Sequence, residues 1–421
     1  MSDPILVHVD LRGTPHLVGR LWPQAHRRQE SATFQYDAAW LVHPERFAIE
    51  PALTLDAAAF HSAAERPLFG ALGDSAPDRW GRALLAQRER HRARTAGTAP
   101  RALRELDYLL GVADVTRLGA LRFRATASGP FLADPGPEAE AAPPLVELRR
   151  LLRAAGQVED GAPDEAALRL LLAPGSSLGG ARPKASVREP DGRLAIAKFP
   201  SRRDDWDIVR WEAVALTLAE RAGIPVAPFR IASVSGRPVL VLSRFDRRGT
   251  ERVPFLSAMS LLGTSPGEAS CYPDIADALR RYGAAALEDL RQLWRRMAFT
   301  VLVSNTDDHL RNHGVLYDGP RGWRLSPAYD LNPTPQDVRP RVLATAITPD
   351  GDATASLDAV LSVGNHFALN HRAATRVVRE VGAVVATWRT VAKRHGVPAR
   401  EVDRMASAFE HADLRAALAR A

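Results

Sequence analysis

Between Ile5 and Val42 apolar residues alternate with polar ones in three short runs, ILVHVDLRG, HLVGRLWP and SATFQYDAAWLV. Gly, Pro and polar breaks separate them. A period of two belongs to strands, so residues 1–60 are expected to be short strands and turns. The pattern then changes. LGDSAPDRWGRALLAQRERH predicts a capped helix within 68–110, with Asp74 or Ser75 as N-cap and Pro77 in the first turn. Residues 125–144 carry Ala, Pro and Gly with no apolar period, which predicts a linker or long surface loop.

LVELRRLLRAAGQ and DEAALRLLLAPG return to helical spacing. KASVREPDGRLAIAKFP then reads as two strands turning at Asp191-Gly192. A helix follows, WDIVRWEAVALTLAERAGI, stopping at Gly223. FRIASVSGRPVLVLSRFDR is a second hairpin, turning at Ser235-Gly236. From 274 onward the pattern is mostly helical, broken around 303–335. In the tail, Val377, Val378, Val385, Trp388 and Val391 are spaced like the buried face of a helix. No fixed-period repeat is present.

Composition changes this picture little. Hydrophobic content of 46% and charged content of 25% are ordinary for a globular chain, and 421 residues suit two or three core-bearing units. No apolar run reaches the roughly 20 residues that cross a membrane. The N-terminus shows no signal peptide, and Cys271 is the single cysteine, so a cytoplasmic protein without intrachain disulfides is expected. A net charge of +7 permits anionic partners. The arginines are scattered, though, and the densest run, 79–104, reads as a solvated helix face. The sharper asymmetry is in lysine. Of 56 basic residues only Lys184, Lys198 and Lys393 are lysines, and the first two lie 14 residues apart. A retained lysine in such a chain hints at a site that needs a compact ammonium.

Candidate chemistry centres on MAFTVLVSNTDDHLRNHGVLYD, 297–318. Kinase catalytic loops use an aspartate as base for the substrate hydroxyl and an asparagine five residues later as a magnesium ligand. Asp307 has Asn312 at that distance. Asp308 has His313, a poor ligand for an oxygen-preferring ion, so the spacing selects Asp307. Asp330, in LSPAYDLNPT, follows an apolar stretch where a kinase places its second magnesium-binding aspartate. Lys198 ends an alternating strand, LAIAK, as a phosphate-pairing lysine does, and Glu212 on the next helix is available as its partner. GSSLGGARPKASV, 175–187, has the small residues that let backbone N–H groups approach phosphates. It lacks the glycine before the lysine that a P-loop requires. Each element alone is modest, but all five occur in kinase order.

Taken together these features predict an α+β chain with a bilobal protein-kinase-like fold. A strand-rich N-terminal region precedes a mostly helical C-terminal lobe. The expected divisions are 1–125, a linker at 126–145, a small-lobe-like region at 146–248 and a helical large lobe at 249–421. Three rivals remain. Asp307, Asp308, His309 and His313 could serve a metal-dependent hydrolase, since His309 and His313 would share a face of a helix. A kinase-fold enzyme acting on a small molecule has the same catalytic groups. A non-enzymatic scaffold or DNA-binding factor would suit the basic charge.

SSLGGARPKA, IAKFP, SRFDR, NTDDHLRNHGVL and LSPAYDLNPT resemble the signatures of HipA-type serine/threonine kinases, the toxins of bacterial toxin–antitoxin pairs. VGRLWP, FQYDAAWL and LFGALGDSAPDRWGRALL are similar to that family's N-terminal domain, so the resemblance covers residues 1 to about 335. It implies an enzyme using ATP and Mg2+, with Asp307 as base and Asn312 and Asp330 as metal ligands. Lys198 would contact the ATP phosphates, with Glu212 beside it. Gly179, Gly180 and Ala181 would cover them, and VLSRFDR would line the adenine pocket with its backbone near Arg244 and Phe245. His309 would orient the catalytic loop, and Arg311 stands where the family often has lysine. Ser177 or Ser176 would be autophosphorylated, expelling the loop through charge repulsion and switching the enzyme off. The resemblance also implies a protein substrate, such as an aminoacyl-tRNA synthetase, and a small DNA-binding HipB-like antitoxin through which DNA contact would be indirect.

Overall fold

In the computed structural model, which describes residues 3–26, 29–63, 66–134, 142–172 and 180–420, the alternating runs near the N-terminus form strands. These are β1 (Ile5–Leu11), β2 (Thr14–His26) and β3 (Gln29–Tyr36). With β4 (Ala59–His61) and β5 (Leu121–Arg124) they make an antiparallel sheet in the order β4-β3-β2-β1-β5. Val7, Val9, Val18, Leu21, Phe34 and Phe123 are all buried on it. Gly19 is required there. A Cβ would stand 2.4 Å from the Gln35 carbonyl oxygen and 2.6 Å from the Phe34 ring.

A second sheet runs in the order β6-β7-β9-β8. Its strands are β6 (Lys184–Arg188), β7 (Leu194–Lys198), β8 (Phe229–Val234) and β9 (Arg237–Ser243). Both expected hairpin turns are present. Gly192 has φ +84°, and Ser235 and Gly236 have φ +51° and +77°, the two positive values a type I′ turn needs. Ala185, Val187, Ala195, Ala197, Val239 and Val241 line one face. Period two puts Lys184, Ser186, Ile196 and Lys198 on the other, with Lys184 directly opposite Lys198.

The helices Leu148–Glu159 and Glu165–Leu172 share a core with the first face, and so do Trp80 and Leu84. Those two lie on the helix Arg79–Thr95, far up the chain. Packing therefore groups Met1–Arg203 with Ala232–Leu256 in one unit, and Asp204–Ile231 with Ser257–Ala421 in another. The divisions at 125 and 146 fall inside the first unit. Of the expected linker, Phe131 and Ala142 are buried, and residues 135–141 lie outside the described residues.

Two expectations need correction. The helix at 68–110 is three helices, Gly70–Asp74, Arg79–Thr95 and Glu105–Gly111. The long one is capped by Asp78, not by Asp74 or Ser75. Pro77 disfavours a helical Ala76, so this helix starts beyond the proline. Asp78 Oδ1 then accepts from the Gly81 N–H at 2.7 Å. Second, the helix Ile208–Arg221 was expected within 146–248, but it packs in the second unit, against the helix Trp388–Arg394. Trp211 lies 6.1 Å from both Trp388 and Phe409, which stack at 4.6 Å.

The second unit is otherwise helical. Ala286–Leu302 runs through it with Leu293, Trp294, Met297, Phe299, Val301 and Leu302 buried. It packs against Tyr272–Tyr282 and His371–Val385. The tail periodicity is real: Val378, Val385, Trp388 and Val391 are buried and Val377 half-buried. A short hairpin, Gly314–Tyr317 with Trp323–Leu325, follows the opening of the polar cluster.

Candidate active site

The polar cluster starts where the buried helix Ala286–Leu302 ends. Ser304 turns the chain at φ +53°, and the Asn305 N–H returns to the Thr300 carbonyl at 3.0 Å. Arg341 closes the helix C-terminus, where a cation is favoured. Its guanidinium donates to the Val301 carbonyl at 2.9 Å and to Ser304 Oγ at 3.1 Å, and pairs with Asp413 at 2.6 Å. His411 Nε2 meets the Leu302 carbonyl at 3.1 Å. The loop therefore leaves a rigid support.

The two adjacent aspartates part company. The Asp307 side chain is 63% exposed, with Arg339 3.4 Å from its Oδ1. Asp308 is 2% exposed and buried among core groups. It accepts from the Tyr272 hydroxyl, and its carbonyl accepts from Thr345 Oγ1 at 2.7 Å. Burial, then the Asp308 charge, raises the Tyr272 phenol well above its usual range, so the hydroxyl stays protonated and donates. His313 Nε2 is 2.9 Å from Asp308 Oδ1, but off the line of a good hydrogen bond, so the contact is an ion pair only when the ring is charged. Buried and mutually occupied, Asp308 and His313 serve the support.

Asn312 is oriented by its own loop. Asn312 is 6% exposed, and its Nδ2 donates to the Asp307 carbonyl at 2.9 Å, which fixes the amide with Oδ1 as its acceptor. His309 acts through its backbone: its N–H donates to the Asp307 carbonyl at 3.0 Å, and its carbonyl accepts from the Asn312 N–H at 2.7 Å. In the ring, Nδ1 is buried without a hydrogen-bond partner. The Arg311 side chain is exposed. Residues 310–312 form a single 3-10 turn, so His309 and His313 do not share a helix face. Among the described residues no group of three or more His, Cys, Asp or Glu gathers as a metal-binding cluster.

The Asp330 segment is strapped beside this loop at four points. The Ser326 N–H donates to the Gly314 carbonyl at 2.8 Å and the Tyr329 hydroxyl to the Arg311 carbonyl at 2.7 Å. The Asn332 N–H donates to Asn305 Oδ1 at 3.2 Å, and the Thr334 N–H to the Ser304 carbonyl at 3.0 Å. Asp330 itself sits at φ +57°, a conformation uncommon outside glycine, and its Oδ1 accepts from Asn332 Nδ2 at 3.2 Å. Sequence reasoning gave no roles to Asn305, Tyr329 or Arg339. Asn305 had a signal, since it opens NTDDHLRNHGVL, one of the stretches that carry the family resemblance. Arg339, 32 residues from Asp307, had none.

The other candidates lie in different surroundings. Lys198, half-buried on β7, belongs to the first unit, and Glu212, buried on Ile208–Arg221, to the second. Gly180, at φ +107°, and Ala181 are exposed, and Ser176, Ser177 and Gly179 lie outside the described residues. Phe245 is half-buried, its ring 6.0 Å from that of Phe255. The expectation for Arg244 concerned its backbone, and its side chain is engaged elsewhere. It is 1% exposed, paired with Asp246, and donates to the carbonyls of Thr116 at 2.9 Å and Arg117 at 3.3 Å. Burial alone would raise the Asp246 carboxyl, but Arg244 and Arg247 hold it well below the usual range.

Residues 8–100 match the family model described as HipA N-terminal domain, and residues 176–388 the one described as HipA-like C-terminal domain. The chain is 29% identical over 327 residues to "Putative kinase Y4mE" of Sinorhizobium fredii, covering 71% of each sequence. It is also 29% identical over 158 residues to "Putative kinase Y4dM" of the same organism, covering 34% of this chain and 38% of that one. Its fold is similar to that of the HipA protein of Shewanella oneidensis MR-1 solved with HipB and operator DNA. The TM-score is 0.68 at 17% identity, over 98% of this chain and 96% of that one. The α+β class, with strands early and helices late, is thus shared with a HipA structure, and no described helix is long and apolar enough to cross a membrane. With one model spanning half the chain and a second covering its N-terminal part, this protein belongs to the HipA family.

Proposed function

We propose that the chain is an ATP- and Mg2+-dependent serine/threonine protein kinase of the HipA type. The observation that carries this reading is the Asn312 amide. Its donated bond to the Asp307 carbonyl fixes a neutral oxygen within the loop that carries the exposed carboxylate of Asp307, and the segment of Asp330 is strapped to that same loop. Asn312 Oδ1 and the Asp330 carboxylate suit a small, hard cation that keeps waters and phosphate oxygens as its other ligands. When bound, that ion neutralises charge on the phosphates during transfer.

The chain's own groups do the rest. Asp307 accepts the proton of the substrate hydroxyl as its oxygen bonds the γ-phosphorus and the bond to the β–γ bridging oxygen breaks, releasing ADP. Lys198 contacts the ATP phosphates, and Arg311 supplies positive charge beside Asn312. Such a site works by positioning and electrostatics. The names of the Sinorhizobium relatives support a kinase. The Shewanella complex, which holds HipB and operator DNA, supports a HipB-like partner, and in this reading DNA contact runs mainly through that partner. The protein target is a translation component such as an aminoacyl-tRNA synthetase in this reading.

The test is to incubate the purified full chain with radiolabelled ATP and Mg2+ and map phosphate by mass spectrometry. Label on Ser176 or Ser177, lost in Asp307→Asn, is the expected result. Label retained in full by Asp307→Asn sinks the assignment.

A further inference from the structure

Two of the three lysines face each other across β6 and β7, with Lys184 directly opposite Lys198 on the face away from the apolar core. Opposed like charges destabilise a sheet. Lys184 does not stand as a second solvent-facing ammonium. It is 3% exposed, and its Nζ lies 2.7 Å from Oδ2 of Asp78, itself 5% exposed. Asp78 comes from the N-terminal half of the same unit, 106 residues earlier. Its second oxygen, Oδ1, caps the helix Arg79–Thr95 through the Gly81 N–H. The next turn adds two ties: the Trp80 indole N–H donates to the Lys184 carbonyl at 2.9 Å, and the Trp80 main-chain N–H to the Gly180 carbonyl at 3.5 Å.

We propose that Asp78 is a positioning residue of the nucleotide site, holding Lys184 and the Gly180–Lys184 approach to β6 so that Lys198, opposite, meets the phosphates in a fixed geometry. The N-terminal region is then part of the nucleotide-binding apparatus. The proposal rests on the kinase reading above. Its physical basis is that a buried ion pair held at both ends, one oxygen on a helix cap and one ammonium on a strand, allows a single register between them.

Asparagine is as good an N-cap as aspartate, so Asp78→Asn removes the charge and keeps the cap. The experiment compares the full-length wild type, Asp78→Asn, Lys184→Met and the double variant. It reads Mg-ADP affinity by calorimetry, nucleotide KM and kcat, thermal midpoint, and amide hydrogen exchange of the apo protein over residues 180–187. The expected result is a Kd and KM about tenfold higher in all three variants, with kcat little changed and exchange over 180–187 accelerated relative to β9. In the double variant the midpoint recovers, because no charge is left unpaired, while the Kd stays weak. A Kd unchanged in the variants, or one that returns with the midpoint, overturns the proposal. Failure of the wild type to bind Mg-ADP overturns the kinase reading, and the exchange arm then decides whether Asp78 holds residues 180–187.

Discussion

Tyr329 donates its hydroxyl to the carbonyl of Arg311 at 2.7 Å, so the residue before Asp330 is fastened to the residue before Asn312. The two proposed metal ligands are thus spaced by a bond between their immediate neighbours. Tyr329→Phe removes that bond and keeps the ring. The bond is exposed, so its loss is expected to cost about 1 kcal/mol of stability or less. Misplacing a ligand pair by a fraction of an ångström is expected to lower kcat by about tenfold. Thermal melts beside phosphoryl-transfer rates check this, and an unchanged kcat removes the strap from the mechanism.

The adjacent aspartates should respond oppositely to the same substitution. Asp307 is exposed, so Asp307→Asn is expected to leave the unfolding midpoint unchanged and to slow transfer by about 10²–10⁴-fold. Asp308 is buried against Tyr272, so Asp308→Asn is expected to cost about 1–3 kcal/mol of stability. The chain that remains folded should keep most of its activity. Denaturation curves and rates on both variants separate the roles. A stable, inactive Asp308→Asn would reverse the assignment.

How much of this was legible in the sequence depends on the range of each interaction. The turns at Asp191-Gly192 and Ser235-Gly236 could be read because positive φ is a local demand that few residues meet. Asp307 could be separated from Asp308 because the spacing to Asn312 lies within one loop, whereas the exposure of Asp307 and the burial of Asp308 depend on distant groups such as Tyr272. The helix starts three or four residues later than expected because Pro77 blocks the residue before it and does not lie in the first turn. The core shared by Trp80, Leu84 and residues 148–241 left no local trace, nor did the pair of Asp78 with Lys184. Such contacts join residues that the pattern of any one segment cannot relate. The scarcity of lysine did mark Lys184 as unusual, but not what it would bind.

Asp330 occupies a left-handed conformation that asparagine tolerates better than most residues. Asp330→Asn is therefore expected to fold within about 0.5 kcal/mol of the wild type. It can keep the contact with Asn332 but loses the anionic oxygen. Activity titrated against Mg2+ should need a higher concentration in the variant, and a chelator should abolish it in the wild type. Superimposable Mg2+ curves, or wild-type activity that survives chelation, would take Asp330 out of the metal site.

His411 gives the supporting helix a pH dependence. Burial, helped by Arg341 and opposed by Asp413, pushes its ring down to about 4. Its Nδ1 accepts from the Leu414 N–H at 3.4 Å, so the neutral ring carries its proton on Nε2, which faces the Leu302 carbonyl. The unfolded chain binds a proton near the ordinary histidine value of about 6.5, well before the folded chain does. Stability from this group is therefore complete above about pH 6.5 and falls as pH drops toward 4, by about 3 kcal/mol in all. His411→Asn keeps a helix cap but cannot titrate. Its unfolding midpoint should start lower at neutral pH and fall less steeply between pH 6.5 and 4 than that of the wild type. Denaturant melts across that range read the difference, and parallel slopes in the two proteins would show that His411 stays out of the transition.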